Sequence, residues 1–167
     1  MVALLALFVP SPARAADPIL VRGAWYQIVN VKSGKVLGTQ AGRGTPGTPV
    51  VQFDAQYTNG RPVPNQSWYV YDDAYPSGDV AMAITNGVSH KVLAIANGST
   101  EAAASAMLWN FTQARNQYWV WDNGRFRNAN SRLCLGIAAG STANLAQAVQ
   151  WHCSGALDQQ WVLVRIQ

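Results

Sequence analysis

Asn65-Gln66-Ser67-Trp68, Asn116-Gln117-Tyr118-Trp119 and Asp158-Gln159-Gln160-Trp161 are three versions of one short segment. Their tryptophans recur at intervals of 51 and 42 residues, so the chain is written in units of roughly forty to fifty residues, and repetition at that period decides the fold class. Two further landmarks keep the same register. Ile28-Val29-Asn30, Ile84-Thr85-Asn86 and Phe126-Arg127-Asn128 each precede a small polar turn that leads to Val36-Leu37, Val92-Leu93 and Cys134-Leu135. Val51-Gln52-Phe53, Met107-Leu108-Trp109 and Val149-Gln150-Trp151 follow. The repeats therefore run over about 24–73, 79–123 and 124–167. The first is longer because of extra residues in Gln56 to Pro64, whose Pro and Gly mark a loop, and near Tyr75 to Gly78.

Within each repeat, short β-branched and aromatic runs separated by Gly, Pro, Ser and Thr predict four strands. In repeat one they are Trp25 to Val31, a short resumption at Val36-Leu37, Val50 to Asp54 and Trp68 to Tyr71. Repeat two has Val80 to Thr85, Lys91 to Ile95, Ala106 to Asn110 and Tyr118 to Asp122. Repeat three has Arg125 to Asn128, Leu133 to Ile137, Ala148 to His152 and Trp161 to Ile166. Glu101 to Ser105 is the one stretch expected to form a helical turn. No four-stranded unit buries its apolar face alone. Threefold closure of twelve strands gives an all-β β-trefoil: a six-stranded barrel capped by three hairpins, with most sheet edges removed.

Composition agrees. At 167 residues the chain amounts to one domain, and with 12% charged residues, seven Trp, 14 Gly and 8 Pro it favours strands and turns over amphipathic helices. Val2 to Val9 followed by Pro10-Ser11-Pro12-Ala13-Arg14-Ala15 reads as a secretory signal over 1–15, leaving 16–167 as the mature domain; the alternative is an apolar first strand. The run is too short for a transmembrane helix, so no membrane insertion is expected. In a secreted chain the only two cysteines, Cys134 and Cys153, read as a disulfide. The net charge of +4 is scattered, and the one cluster, Arg125, Arg127 and Arg132, reads as a solvated turn, so nucleic acid is not an expected partner.

The Gln-x-Trp triplet, the Val/Cys-Leu pair ahead of an aromatic and the 19-residue cysteine spacing together resemble the ricin B-type lectin family, over essentially residues 24 to 166. In that family the Gln-x-Trp residues are architectural, which makes Gln66, Trp68, Gln117, Trp119, Gln159 and Trp161 structural: buried indole bodies with Gln amides that satisfy backbone groups. The resemblance also implies one sugar pocket per repeat. Each would have an aromatic platform, at Phe53, Trp109 and Trp151, and an Asn before Gln-x-Trp, at Asn65 and Asn116, with Asp158 departing. The family's Asp falls on Gly38, Ala94 and Gly136, so all three pockets lack it. In repeat three, Asp158 would supply a carboxylate, with His152 after the platform and Asn144 from the loop; Asn97 would contribute in repeat two. The alternatives are a turn role for Asp158, a solvated His152, and Trp151 and Trp109 partly buried between hairpins. Gly136→Asp is expected to restore the absent acceptor.

Catalysis is not expected. Two His, one Glu and the adjacent Asp72-Asp73 pair offer neither a nucleophile motif nor a glycosidase carboxylate pair, and neither a cofactor nor a metal site is indicated. The expected function is a secreted lectin or carbohydrate-binding module that recognises glycans or polysaccharide through weak repeated sites. The alternative is a β-trefoil interaction or inhibitor scaffold that has lost sugar binding. The sequence implies no oligomeric state.

Overall fold

The computed structural model describes residues 20–72 and 81–167. The expected signal at 1–15, Val80 and Asp73 lie outside the described residues.

Strands β1 (Ala24–Asn30), β2 (Val36–Thr39) and β3 (Val50–Phe53) are followed by the small pair β4 (Tyr57–Thr58) and β5 (Arg61–Pro62), then by β6 (Trp68–Asp72). Repeat two supplies β7 (Met82–Asn86), β8 (Val92–Ile95), β9 (Ala106–Trp109) and β10 (Trp119–Asp122). Repeat three supplies β11 (Arg125–Asn128), β12 (Cys134–Ile137), β13 (Ala148–Trp151) and β14 (Trp161–Arg165). The all-β expectation is met.

Antiparallel pairing runs β14 to β1, β1 to β6, β6 to β7, β7 to β10 and β10 to β11. These six strands form the barrel, and the Trp161 N–H closes it by donating to the Gly124 carbonyl at 2.8 Å. The hairpins β2–β3, β8–β9 and β12–β13 cap one end. They meet through single bridges that link each repeat to the other two: Pro49 with Met107, Ser105 with Val149, and Gln147 with Val51. Gln147 marks the pseudo-threefold axis. Its Nε2 lies 2.9 Å from the carbonyls of Val50, Ala106 and Ala148, one in each repeat.

Alternation along the strands fills the core. Tyr26 and Ile28 of β1, Trp68 and Val70 of β6, Met82 and Ile84 of β7, and Trp161 and Leu163 of β14 all point inward, because successive strand residues face opposite sides. Each core indole also keeps its N–H satisfied. Trp68 Nε1 donates to the Leu37 carbonyl at 2.8 Å, Trp119 to Leu93 at 2.9 Å and Trp161 to Leu135 at 3.0 Å. The neighbouring glutamines brace the chain that leaves the third strand of each repeat. Gln66 accepts from the Gln56 N–H and donates to Asp54 O, Gln117 does so with Thr112 and Asn110, and Gln159 with Ser154 and His152. The Cys134–Cys153 disulfide is present, and by closing a 19-residue separation it contributes about 3 kcal/mol in the chain-entropy model.

Two local expectations are corrected. Gln56 to Pro64 is not simply loop: Asn59 and Gly60 both have positive φ (52° and 75°), the two-residue geometry that suits Asn-Gly and closes a hairpin, here β4–β5. Glu101 to Ser105 forms no helical turn. Ala103 sits at φ 67°, and its N–H is drawn across to the Gln150 carbonyl at 2.8 Å. The 3₁₀ turns fall instead at Gln40–Gly42, Ala96–Gly98 and Ala138–Gly140 and over Pro64–Gln66, Arg115–Gln117 and Leu157–Gln159.

Trp161→Ala should lower the unfolding free energy by about 3–5 kcal/mol, because it empties a core site and strips the Leu135 carbonyl of its donor. Trp151→Ala, at a side chain 48% exposed, should cost roughly half of that or less. Urea unfolding of the two variants checks this, and the reverse order of costs contradicts the assignment.

Candidate functional site

The cap end carries three equivalent clefts, built where the second strand of each repeat runs out. The chain leaves β2, β8 and β12 through Ala41-Gly42, Asn97-Gly98 and Ala139-Gly140, and in each pair both residues have positive φ. Two successive left-handed residues turn the backbone sharply, and the glycine leaves no Cβ in the opening. One wall is the platform aromatic at the end of the third strand. The other is the 3₁₀ turn that carries Asn65, Asn116 or Asp158.

The clefts hold about 320 Å³ in repeat one and about 300 Å³ in repeats two and three. Phe53, Asn65 and Gly38 line the first, Trp109, Asn116 and Asn97 the second, and Trp151, Asp158 and Gly136 the third. The two indoles are 41% and 48% exposed, so they are not sealed between hairpins. An indole held open at a cleft wall offers a flat apolar face to a ligand.

Three buried asparagines set the height of the opposite wall. Asn30 Nδ2 donates to the Asp158 carbonyl at 2.8 Å, Asn86 to Asn65 at 3.1 Å and Asn128 to Asn116 at 3.0 Å. Each repeat thus fixes a site residue of its neighbour. The side chains then differ. Asn116 spends its amide on the Ile95 carbonyl at 2.7 Å. The Asp158 carboxylate has no protein donor among the described residues. Its Oδ2 lies 3.4 Å from the point a Cβ on Gly136 would occupy, and its Oδ1 lies 3.5 Å from the corresponding point on Gly140.

This geometry changes the reading of Gly136. A Cβ there would stand 2.9 Å from Gln159 Cγ, a side chain already held at both ends of its amide. The position is the space into which Asp158 and Gln159 pack. Gly38 is similarly confined, with Gln66 Cγ at 3.0 Å and the Asn65 carbonyl at 3.3 Å from its Cβ point. A Cβ at 136 would press on the Gln159 brace, and Gly136→Asp would set a second carboxylate beside the first, so the substitution is no longer expected to restore an acceptor.

His152 and Asn144 do not line the repeat-three cleft. The exposed His152 ring meets Trp151 edge-on at 6.2 Å, and its carbonyl accepts from Gln159 at 2.9 Å. Asn144 crosses to repeat one, where its Nδ2 donates to Asp54 Oδ2 at 2.7 Å and its Oδ1 accepts from the Asp54 N–H at 3.0 Å. Asn144, and then the Lys35 ammonium, hold the Asp54 carboxyl below its ordinary range. With a lowered folded pKa, this tie is present above the ordinary carboxylate range and fades as pH falls through the lowered value.

Leu145 was not legible as a site residue, yet it lines the repeat-one cleft from repeat three. It stands six residues before its own platform, as do Gly47 and Ala103, and all three have positive φ (65°, 83° and 67°). Each donates its N–H to the residue before the next repeat's platform: Leu145 to Gln52, Gly47 to Leu108, and Ala103 to Gln150. The shared spacing was the available signal.

Gly136→Asp should lower stability by about 1–3 kcal/mol as an overpacking change and should not create or strengthen sugar binding. Denaturant unfolding with sugar titration of the folded variant checks both; a stable variant with higher affinity contradicts the packing described.

A family model described as the ricin-type beta-trefoil lectin domain matches residues 24–161. Among curated proteins, none matches the sequence significantly. Among solved structures, the designed threefold-symmetric protein ThreeFoil is 28% identical, with a TM-score of 0.74, covering 84% of this chain and 97% of that one. An exo-beta-1,3-galactanase from Clostridium thermocellum is 24% identical with a TM-score of 0.74; the match covers 90% of this chain but only 31% of the enzyme. The C-half of an earthworm R-type lectin, in complex with GalNAc, is 15% identical with a TM-score of 0.66, covering 85% of this chain and 98% of that one.

Proposed function

The chain belongs to the ricin-type β-trefoil lectin domain family, which is a carbohydrate-binding family, and from that premise we propose that it is a secreted carbohydrate-binding module with weak repeated sites, the repeat-three cleft being the principal one. One observation carries the choice of cleft. Trp151, 48% exposed, faces a space of about 300 Å³ whose other wall presents a carboxylate with no protein donor among the described residues. An indole face covers the C–H face of a hexose, and a free carboxylate accepts from its hydroxyls.

The sites are weak because the polar anchors are few. A charge-assisted hydrogen bond contributes about 1.5–3 kcal/mol, and only the third cleft offers one from a carboxylate on its lining. The first and second clefts rely on the neutral Asn65 and Asn116, and Asn116 has already committed its amide. Useful affinity for a polymer or a clustered glycan then comes from simultaneous occupancy of several clefts. The Cys134–Cys153 bond fits an oxidising, extracytoplasmic setting.

The proposed role is binding without catalysis. Asp158 is the sole carboxylate on the lining of the third cleft, whereas glycoside hydrolysis calls for a pair. The interaction-scaffold reading keeps one observation in its favour, namely Gly38, Ala94 and Gly136 where the family's Asp would stand.

A glycan and polysaccharide array on the folded protein tests the proposal. Trp151→Ala should abolish binding by repeat three, and Asp158→Asn, which gives the cleft the side chain of its two counterparts, should weaken it about tenfold. A folded protein that binds no glycan on the array removes the lectin reading, and the interaction scaffold takes its place.

A further inference from the structure

The residue two positions after each buried asparagine lies on the rim of the neighbouring repeat. Asn130, after Asn128, donates from Nδ2 to the Gly98 carbonyl at 2.9 Å, at the edge of the repeat-two cleft. Val88, after Asn86, packs against Gly44, its Cγ1 2.9 Å from the Cβ point of that glycine. Lys32, after Asn30, reaches the repeat-three cleft, where its Nζ lies 2.7 Å from the Cβ point of Gly140. That same point is 3.5 Å from Asp158 Oδ1.

Asn30 ties these two charged residues together. Its Nδ2 holds the Asp158 carbonyl at 2.8 Å, while its Oδ1 accepts from the Lys32 N–H at 3.1 Å. The ammonium and the carboxylate are nevertheless not paired: among the described residues the ion pairs are Arg22–Asp72, Lys35–Asp54 and Arg125–Asp122. Lys32 is exposed. A donor and an acceptor thus stand beside one glycine at the mouth of a cleft walled by Trp151, each with hydrogen-bonding capacity unspent.

We infer that Lys32, from repeat one, is a binding and specificity residue of the repeat-three cleft, donating to one hydroxyl of an uncharged sugar while Asp158 accepts from the neighbouring hydroxyl. This rests on the lectin reading above and adds to it the substrate class of the cleft. The two opposite charges beside Gly140 leave the mouth with no net attraction for an ionic sugar: Lys32 draws an acidic sugar that Asp158 repels, and Asp158 draws an amino sugar that Lys32 repels, so the desolvation of the ligand's charge goes uncompensated. Two adjacent hydroxyls satisfy both groups at once, since each hydroxyl both donates and accepts. Glycine at 140 leaves room for the ammonium, since a Cβ there would stand 2.7 Å from Nζ and push the end of the lysine side chain aside.

Isothermal titration with galactose, N-acetylgalactosamine, galacturonic acid and galactosamine tests this on the wild type, Lys32→Met, Lys32→Arg and Trp151→Ala. The neutral sugars should bind the wild type at least several-fold more tightly than both charged ones. Lys32→Met should weaken the neutral sugars about tenfold with the melting temperature unchanged, Lys32→Arg should keep most of the affinity, and Trp151→Ala should lose binding at this cleft. Unchanged affinity in Lys32→Met, with loss in Trp151→Ala, overturns the role of Lys32 and leaves the lectin reading standing. Preferred binding of galacturonic acid that depends on Lys32 overturns the neutral-sugar assignment. No binding of any of the four overturns the proposal, while the glycan array decides separately whether the protein is a lectin at all.

Discussion

Each repeat is held by an indole N–H that donates to a backbone carbonyl of that repeat's cap hairpin: Trp68 to Leu37, Trp119 to Leu93 and Trp161 to Leu135. A buried indole fills volume, but its N–H must find an acceptor. Meeting that demand with the carbonyl of a cap strand locks the hairpin to the barrel. The adjacent glutamine then fixes the exit of the next strand, and the residue before the glutamine is delivered to the cleft wall. Core and site are therefore consecutive residues of one motif. The site residue can vary, as Asn65, Asn116 and Asp158 do, while the pair that positions it stays constant.

The repeats are bound to one another by polar ties that do not all obey the threefold symmetry. Gln52 holds the carbonyls of Ser141 and Ala143, and Gln150 holds those of Ser99 and Glu101. The third equivalent position is Leu108, which has no side-chain amide; there the backbone pairs alone, with the Leu108 N–H donating to the Thr48 carbonyl and its carbonyl accepting from Gly47. Gln147 on the axis likewise has Pro49 and Ser105 as its counterparts. Divergence of this kind extends to the clefts: Lys32 stands beside Gly140 of the third and Asn130 binds Gly98 of the second, whereas their counterpart Val88 packs on Gly44. Three sites of common design consequently differ in charge.

What repeats in register was legible in the sequence, and what crosses between repeats was not. The Gln-x-Trp triplets, the strand pairs and the aromatics Phe53, Trp109 and Trp151 recur at fixed spacing, so periodicity located the barrel and the caps, and the resemblance to ricin B-type lectins marked those aromatics as one wall of each cleft. Asn144 and Lys32 were beyond that reach. A loop residue of repeat three seemed to belong to its own pocket, yet closure of the trefoil carries Asn144 to Asp54 and carries Lys32 the other way, to Gly140. Gly136 misled for a different reason. Read alone it marks a missing carboxylate; seen with its neighbours it is the space filled by Gln159 and bordered by Asp158. Spacing locates backbone, whereas the occupancy of a small volume depends on side chains that come from elsewhere in the chain.

In the proposed function a sugar seats on Trp151 in the repeat-three cleft, against a wall that the Gln-x-Trp motif positions. The most direct measurement is a ¹H–¹⁵N correlation spectrum of the labelled protein titrated with N-acetylgalactosamine. The account predicts the largest shifts at the Trp151 indole and at the amides of Gly136, Gly140 and Asp158, with the Trp161 indole, committed to the Leu135 carbonyl, unmoved. Shifts that gather elsewhere on the surface, or a spectrum that does not change, would contradict it.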